Sequence, residues 1–369
     1  MTLGILGGGQ LARMLCLDAR RMGVRTVVWS GTPDAEPSEG VADVLIKEAF
    51  GNDDVRRQFC EAVDFVTVEF ENIPLETLRA VAAEVPLYPS AHSIEVTQHR
   101  SREKAFLREN GIPCAPFAFV DSLEALQAAY AEIGPVGVLK TAAFGYDGKG
   151  QVKLTSADQL EEAWLAVDGQ PSVLEGFIDF QCEISVLVAR GDKGQCLAFP
   201  PAENGHRHHI LDLTIVPARV SEETLAEAKA IALELVEKLD YRGLLAVEFF
   251  VEKSGRVIVN EMAPRPHNSG HYTMNGCVTS QFEQQLRAVC GLPLGSVELL
   301  SPCVMLNLLG DMWNPELNVA EIVATEGAKL HLYGKSKPDG RRKMGHVNLV
   351  GPGDLVERAE TLKANLLRR

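Results

Sequence analysis

The sequence predicts an α/β protein, α+β in its overall mix, built as two or three packed units. Three observations carry this. The chain opens on a strand, a glycine turn, a helix and a second strand, the start of a doubly wound unit. Residues 243–262 (GLLAVEFFVEKSGRVIVNEM) read as two apolar strands joined by a polar, glycine-containing turn. A length of 369 residues exceeds what one hydrophobic core usually serves.

Composition narrows the function classes. Hydrophobic residues at 46% and charged residues at 23% are the balance of a soluble globular protein. A net charge of -14 opposes bulk binding to nucleic acid, although a local Arg/Lys cluster can still hold a small phosphorylated substrate. The eight cysteines show no C-x-x-C pair, so reduced thiols are expected. The N-terminal MTLGILGGGQLARML has no basic leader region, and no apolar run reaches the ~18 residues of a membrane span. These features predict a cytoplasmic protein with neither membrane nor nucleic acid as partner.

Residues 3–6 form a short apolar run that stops at Gly7, Gly8 and Gly9. Helical spacing of Leu11, Met14, Leu15 and Met22 follows, then an apolar run over 24–29. Residues 64–72 (DFVTVEFEN) read as a buried strand with carboxylates at its C-terminal tip, the edge where open α/β sheets bind ligands. The pattern breaks at 86–89, and a helix is expected over 95–110, ended by Gly111, Ile112 and Pro113. Next come a strand at 117–120, a helix at 122–133, and strands at 136–141 and 151–155 that flank the glycine loop. Ser221 is placed to cap a helix running to Leu239, with Leu225, Ala228, Ala232 and Leu235 on its buried stripe. After Gly291, Leu292 and Pro293 a small strand-rich tail begins.

GGGQLA (7–12) suits a phosphate-bearing substrate or a purely structural turn. A dinucleotide would need an acid after the second strand, where Trp29, Ser30 and Gly31 stand instead. FGYDGKGQ (144–151) is not a Walker A loop, since it lacks the first glycine and the final Ser/Thr and joins two strands. Its amides and Lys149 could still lie over a triphosphate, with Lys140 on the preceding strand. If Glu252 pairs with Val257 in the hairpin, Glu248 falls opposite Glu261. Two buried carboxylates repel unless a cation sits between them, and Asn260 adds a neutral oxygen; Mg²⁺ is the natural occupant. Arg265 and His267 follow in a proline-stiffened segment, an anion fork beside a group able to donate or exchange a proton. His206, His208 and His209 suggest a transition-metal site, but three histidines within four residues of a loop rarely converge on one ion, so a surface or nucleotide-side loop is the favoured reading.

Lys140, FGYDGKGQ, the hinge-like LEGFIDFQCE (174–183) and VNEMAPRPHNSGHYT (259–273) occur in an order that resembles the ATP-grasp superfamily. Within it, GILGGGQLARM, EFEN, GYDGKGQ, NEMAPRPHNSGH and GRRKMGHVNL are similar to the N5-carboxyaminoimidazole ribonucleotide synthetase family over nearly the whole chain. That resemblance implies a Rossmann-like pre-ATP-grasp domain over 1–95 and an ATP-grasp domain over 96–293 with a lid at about 114–180. A small strand-rich C-terminal domain over 294–369 completes it. The implied reaction is ATP- and bicarbonate-dependent carboxylation of 5-aminoimidazole ribonucleotide, with Mg²⁺, in a homodimer.

The same resemblance implies site roles. Arg100, Lys140, Gly145, Tyr146, Asp147, Gly148, Lys149, Gly150 and Gln151 would bind ATP phosphates. Glu175, Gly176, Phe177 and Ile178 would form the adenine hinge, Glu183 would hold ribose, and His206 would approach the nucleotide. Glu248, Glu261 and Asn260 would hold Mg²⁺, Arg265 and His267 would serve bicarbonate and the carboxyphosphate made from it, and Lys335 would join these two as a catalytic residue. The ribonucleotide would lie among Gly9, Gln10, Leu11, Glu69, Asn72, Tyr146, Asp147, Lys335, Arg342 and Lys343. Two residues depart from the family pattern: His99 stands where an acid usually precedes Arg100, and His209 where a glycine usually precedes Ile-Leu. The rival within the superfamily, formate-dependent glycinamide ribonucleotide transformylase, carries Asp and Thr where this chain has Asn268 and Ser269. A non-catalytic ATP-binding regulator would have lost a metal carboxylate or Arg265, and both are retained.

Overall fold

A computed structural model of the chain describes residues 1–143 and 150–368. Gly145, Tyr146, Asp147, Gly148 and Lys149 therefore lie outside the described residues, and Gly150 and Gln151 within them.

The N-terminal apolar runs form a parallel sheet of β1 (Thr2–Leu6), β2 (Arg25–Gly31), β3 (Val44–Ala49) and β4 (Phe65–Val68), in the order β3-β2-β1-β4. Near-continuous Val, Ile and Leu suits strands covered on both faces. The helix Gln10–Arg21 buries Leu11, Met14 and Leu15 against one face. Strand order reverses between β1 and β4, so the loops after these two strands meet at one edge. The strand expected over 64–72 stops at Val68. Glu69 still donates its N–H to the Leu6 carbonyl, and its side chain then turns toward the glycine loop.

The single helix expected over 95–110 is two, Ala91–Thr97 and Arg100–Glu109, and residue 95 lies inside the first. His99 is the break. Its backbone is extended (φ -134, ψ 112), and the next N–H, of Arg100, donates to the Ala142 carbonyl at 2.7 Å. An acid at this N-terminal cap would accept helix amides. The His99 side chain makes no capping bond, and its Nδ1 is buried without a partner.

Four antiparallel strands, β5 (Phe117–Val120), β6 (Gly137–Thr141), β7 (Gln151–Leu154) and β8 (Ser172–Gly176), form a second sheet in the order β5-β8-β6-β7. Lys140 pairs with Gln151 across the mouth of the glycine loop. The helix Leu123–Ile133 packs Leu126 and Ala129 on Leu139 and Leu174, a small core of its own.

The remaining strands build one nine-stranded sheet. They are β9 (Phe180–Arg190), β10 (Cys196–Ala198), β11 (Ala202–Arg207), β12 (Ile210–Val216), β13 (Gly243–Glu252), β14 (Val257–Ala263), β15 (Cys303–Leu309), β16 (Ala328–Leu332) and β17 (Lys343–Val350). The order is β14-β13-β9-β11-β12-β15-β17-β16, with β10 on β9. The C-terminal strands thus extend the central sheet, β15 pairing with β12, while the helix Leu355–Leu367 gives them a local core. Ser221 caps the helix Glu222–Lys238, accepting from Thr224 N–H, and Ala228, Ala232 and Leu235 pack on Val186, Val188 and Val247. No described helix is long and apolar enough to cross a membrane.

His208 and His209 form the two-residue turn between β11 and β12, both with positive φ (53° and 64°). A hairpin of this type favours glycine at the second position, which is where the family pattern has it. A non-glycine residue costs about 1–2 kcal/mol there, and glycine gives back about 0.4–1 kcal/mol through its freer unfolded chain. His209→Gly is therefore expected to raise stability by about 0.5–1 kcal/mol, read from the urea midpoint; an unchanged or lower midpoint contradicts the strain.

Candidate active site

The site is organised around a buried carboxylate. Glu175, on β8 and 2% exposed, faces three cations. Lys140 Nζ and Lys104 Nζ lie 3.0 and 3.3 Å from its Oε2, and Arg100 Nη1 lies 3.4 Å from Oε1. Burial works to raise the Glu175 pKa, but the three cations outweigh it and hold it at about 2. Lys104 also donates to the Asn260 carbonyl at 3.0 Å, and Arg100 Nη2 lies 3.2 Å from Glu261. Glu103, on the same helix face, accepts the Met262 N–H at 2.6 Å. The helix Arg100–Glu109 thereby ties the β8 hinge to β14. Only the backbone of Glu175 is left to read a base, because its side chain is committed inward.

Hairpin β13–β14 brings Glu248 opposite Glu261, but not through the register expected. Glu252 pairs with Arg256 and Val251 with Val257, one residue away from the expected pairing. A bulge at Asn260 restores the offset, so that Phe249 faces Val259 while Glu248 faces Glu261. A bulge re-aims side chains where a strand meets a site. Burial and then the Glu261 charge push the Glu248 carboxyl up to about 8. The Asn260 Oδ1 is buried with no hydrogen-bond partner. Two mutually repelling carboxylates beside an orphaned amide oxygen are a donor set that fits a hard divalent cation. Among the described residues no larger His/Cys/Asp/Glu group has metal-binding geometry, the three clustered histidines included. His206 instead sits 3.2 Å from Glu183; burial lowers its pKa, but the bond and charge from Glu183 win and raise it.

Arg265 is gripped by Glu71, whose Oε2 and Oε1 accept from Nε at 2.5 Å and Nη2 at 3.0 Å. This carboxylate, two residues beyond Glu69, is the second of those at the tip of 64–72, and the sequence gives it no partner. Glu69 accepts the Gly9 and Ala12 N–H groups at 3.0 and 3.4 Å. The amides expected to meet a substrate phosphate thus already face an internal anion. A Cβ on Gly9 would fall 2.4 Å from Glu69 Oε1, which accounts for that glycine. Lys335 Nζ donates to the Lys343 carbonyl at 2.9 Å, and burial, reinforced by Arg342, lowers its pKa to about 8. Arg342 donates to the Lys337 carbonyl.

Two cavities open on these residues. The larger, about 530 Å³, lies between β5–β8 and the central sheet. Lys140, Gly150, Gln151, Glu175, Gly176, Phe177, Ile178, Glu183, His206, Glu248 and Asn260 line it, with the stacked rings of Phe180 and Phe250 (4.6 Å between centroids) as a flat wall. The smaller, about 340 Å³, is lined by Gln10, Leu11, Glu69, Glu71, Asn72 and Arg265. Arg100, Thr141, Glu261, His267, Asn268 and Lys343 line both, so the cavities meet along one wall. Gly9, Lys335 and Arg342 are not among the lining residues of either.

Glu103 and Lys104 are the groups that reading the sequence missed, and for Glu71 it missed the partner, Arg265. Spacing held the signal for the first two, since Arg100, Glu103 and Lys104 share one helix face. Burial pushes the Glu103 carboxyl up to about 7, against the pull of Arg100 and Lys104. A raised carboxylate pKa adds stability below the ordinary value of 4.5, and that stability is lost as pH rises through 7. Glu103→Gln keeps an oxygen for Met262 but has no such slope. Its stability relative to the parent should rise by on the order of 2 kcal/mol from about pH 5 to about pH 8 in urea unfolding. A flat or falling difference would rule out the raised carboxyl.

Similarity to known proteins agrees with this architecture. Residues 1–98 match the ribonucleotide synthetase preATP-grasp domain, 105–282 the ATP-grasp domain, and 303–359 the phosphoribosylaminoimidazole carboxylase C-terminal domain. N5-carboxyaminoimidazole ribonucleotide synthase of Brucella melitensis is 43% identical, over 95% of this chain and 96% of its own. The crystal structure of N5-carboxyaminoimidazole ribonucleotide synthetase from Thermus thermophilus is 40% identical and superposes with a TM-score of 0.90, covering 99% of this chain and 98% of that one. The Aspergillus clavatus enzyme, solved with ADP and 5-aminoimidazole ribonucleotide, is 32% identical with a TM-score of 0.90, over 99% of this chain and 97% of that one. With that coverage and identity, the chain belongs to the N5-carboxyaminoimidazole ribonucleotide synthase family of ATP-grasp ligases.

Proposed function

We propose that this protein carboxylates 5-aminoimidazole ribonucleotide to N5-carboxyaminoimidazole ribonucleotide, using ATP and bicarbonate and releasing ADP and phosphate. The observation that carries the reading is the wall shared by the two cavities. A nucleotide in the larger cavity and a ribonucleotide in the smaller would bring the transferred phosphoryl group and the acceptor amine to the same residues.

In the larger cavity, Phe180 and Phe250 offer an apolar face for adenine, and backbone groups of residues 175–178 read its edge. Glu183 takes the ribose. Lys140 and Arg100 supply charge for the phosphates, together with the loop 145–151. Glu248, Glu261 and Asn260 would hold Mg²⁺, which when bound neutralises phosphate charge. A bicarbonate oxygen attacks the γ-phosphorus and the bond to ADP breaks, giving carboxyphosphate. The exocyclic amine then attacks the carboxyl carbon, or CO₂ released in place; the C–O bond to phosphate breaks, and the departing phosphate takes one proton from the nitrogen. Arg265, held in orientation by Glu71, and His267 stabilise the carboxylate oxygens. Lys343, with Lys335 and Arg342 nearby, supplies positive charge for the ribonucleotide phosphate. Closure over the shared wall keeps water from the labile carboxyphosphate. From the resemblance the reading also takes a cytoplasmic setting and a homodimer.

Purified protein is expected to release ADP only when bicarbonate and aminoimidazole ribonucleotide are both present. Equal release with glycinamide ribonucleotide and formate would overturn the assignment in favour of the transformylase. Lys335→Ala is expected to raise the KM for the ribonucleotide about tenfold, as loss of one charge-assisted contact implies, with little change for ATP. The opposite pattern would remove the C-terminal loop from the ribonucleotide site.

A further inference from the structure

The proton on His267 decides whether this residue can only donate to an anion or can also take a proton, and the surrounding hydrogen bonds settle where it sits. The backbone is clamped first. His267 N–H donates to Gln281 Oε1 at 2.8 Å, and Gln281 Nε2 donates back to the His267 carbonyl at 2.8 Å. Gln281 is fully buried at the start of the helix Gln281–Val289, and its own N–H is fixed by Thr273 Oγ1 at 2.9 Å. A Cβ at residue 270 would fall 2.4 Å from Gln281 Oε1 and 2.3 Å from Leu187 Cδ2, so only glycine lets the chain pass this clamp.

The ring is fixed next. The Ser269 N–H points at His267 Nδ1 from 3.3 Å, and Ser269 Oγ lies 2.9 Å from the same nitrogen. Ser185 Oγ donates to Ser269 Oγ at 2.9 Å, which directs the Ser269 hydroxyl proton onward to Nδ1. The amide contact, long at 3.3 Å, favours a lone pair on Nδ1, and the directed hydroxyl at 2.9 Å is the stronger donor that holds it there. Glu248 Oε1, 3.7 Å from Nδ1, is beyond hydrogen-bond range and does not compete for a proton there.

We propose that Ser269, directed by Ser185 and seated by the Gln281 clamp, is a positioning residue that fixes His267 as the neutral Nε2–H tautomer. The Nε2–H is then the ring group presented to the wall shared by the two cavities. In that form His267 donates one hydrogen bond to an anionic oxygen of bicarbonate or carboxyphosphate and has no lone pair with which to take the amine proton. The inference rests on the reading that His267 serves bicarbonate and its phosphorylated product.

The test is two-bond ¹H–¹⁵N correlation of the histidine rings in full-length protein, alongside steady-state kinetics. The parent protein should show His267 neutral with its proton on Nε2, identified by loss of the signal in His267→Ala. Ser269→Ala keeps the amide donor but loses the hydroxyl, so part of the ring should move to the Nδ1–H form. Its kcat should fall about tenfold with the KM for ATP unchanged. Ser269→Thr should restore both tautomer and kcat, and Ser185→Ala should have a smaller effect than Ser269→Ala. A parent ring protonated on Nδ1 overturns the proposal. So does a Ser269→Ala protein with parental tautomer and kcat while His267→Ala is inactive. Full activity in His267→Ala would instead sink the assignment of His267 to the reaction.

Discussion

The charge balance at Glu175 is the constraint on which the site depends. Arg100, Lys104 and Lys140 come from two separate elements, and no pair of them would stay together unneutralised away from water. One carboxylate on β8 satisfies all three and fixes β6 and β8 against the helix Arg100–Glu109. That helix reaches β14 through Glu103 on the Met262 amide and Lys104 on the Asn260 carbonyl. The arrangement keeps Arg100 at the shared wall and Lys140 in the larger cavity, with Lys104 buried behind them. Breaking it by removing one partner would leave a buried charge uncompensated, a larger penalty than the pair's own net contribution.

Much of this was legible in the residues, and the reasons for the exceptions are physical. Strands at 117–120 and 243–252 and the Ser221-capped helix stand where apolar period and capping chemistry put them. The helix break at His99 was hidden because the 95–110 window keeps helical composition throughout; a tertiary bond from Arg100 to Ala142 decides it. Pairing of β15 with β12 links segments far apart in sequence, and no local window holds that information. Lys104 was passed over because a single charge usually means solvent, and the pairing of Glu71 with Arg265 spans 194 residues; burial of a charge becomes visible only with its partner.

The opposition of Glu248 and Glu261 is instructive in another way. Sequence reading anticipates the pairing from a turn register that is wrong by one residue, and the bulge at Asn260 corrects the sum. The bulge also has a chemical consequence, since the residue it inserts leaves a buried amide oxygen without a partner beside the two carboxylates. A regular hairpin with the register seen at the turn would have placed Asn260, not Glu261, opposite Glu248. Two errors of one residue cancelled, and the irregularity that cancelled them belongs to the site.

The glycine loop after β1 shows why residue pattern alone stops short of a ligand. Glycine and a helix N-terminus form an anion site, but Glu69 already occupies the Gly9 and Ala12 amides. Burial raises the Glu69 pKa, while Arg265 and those two amides draw it back down. In the proposed reading, Lys335 and Lys343 on the C-terminal segment are therefore the stronger attraction for a substrate phosphate, with the glycine loop as a close, side-chain-free surface. On that proposal, the extension of the central sheet by β15–β17 serves to place these two lysines. The loop between β16 and β17 carries Lys335, and Lys343 begins β17 itself. Only continuous pairing from β12 brings that segment within reach of a pocket built largely by the first and second units.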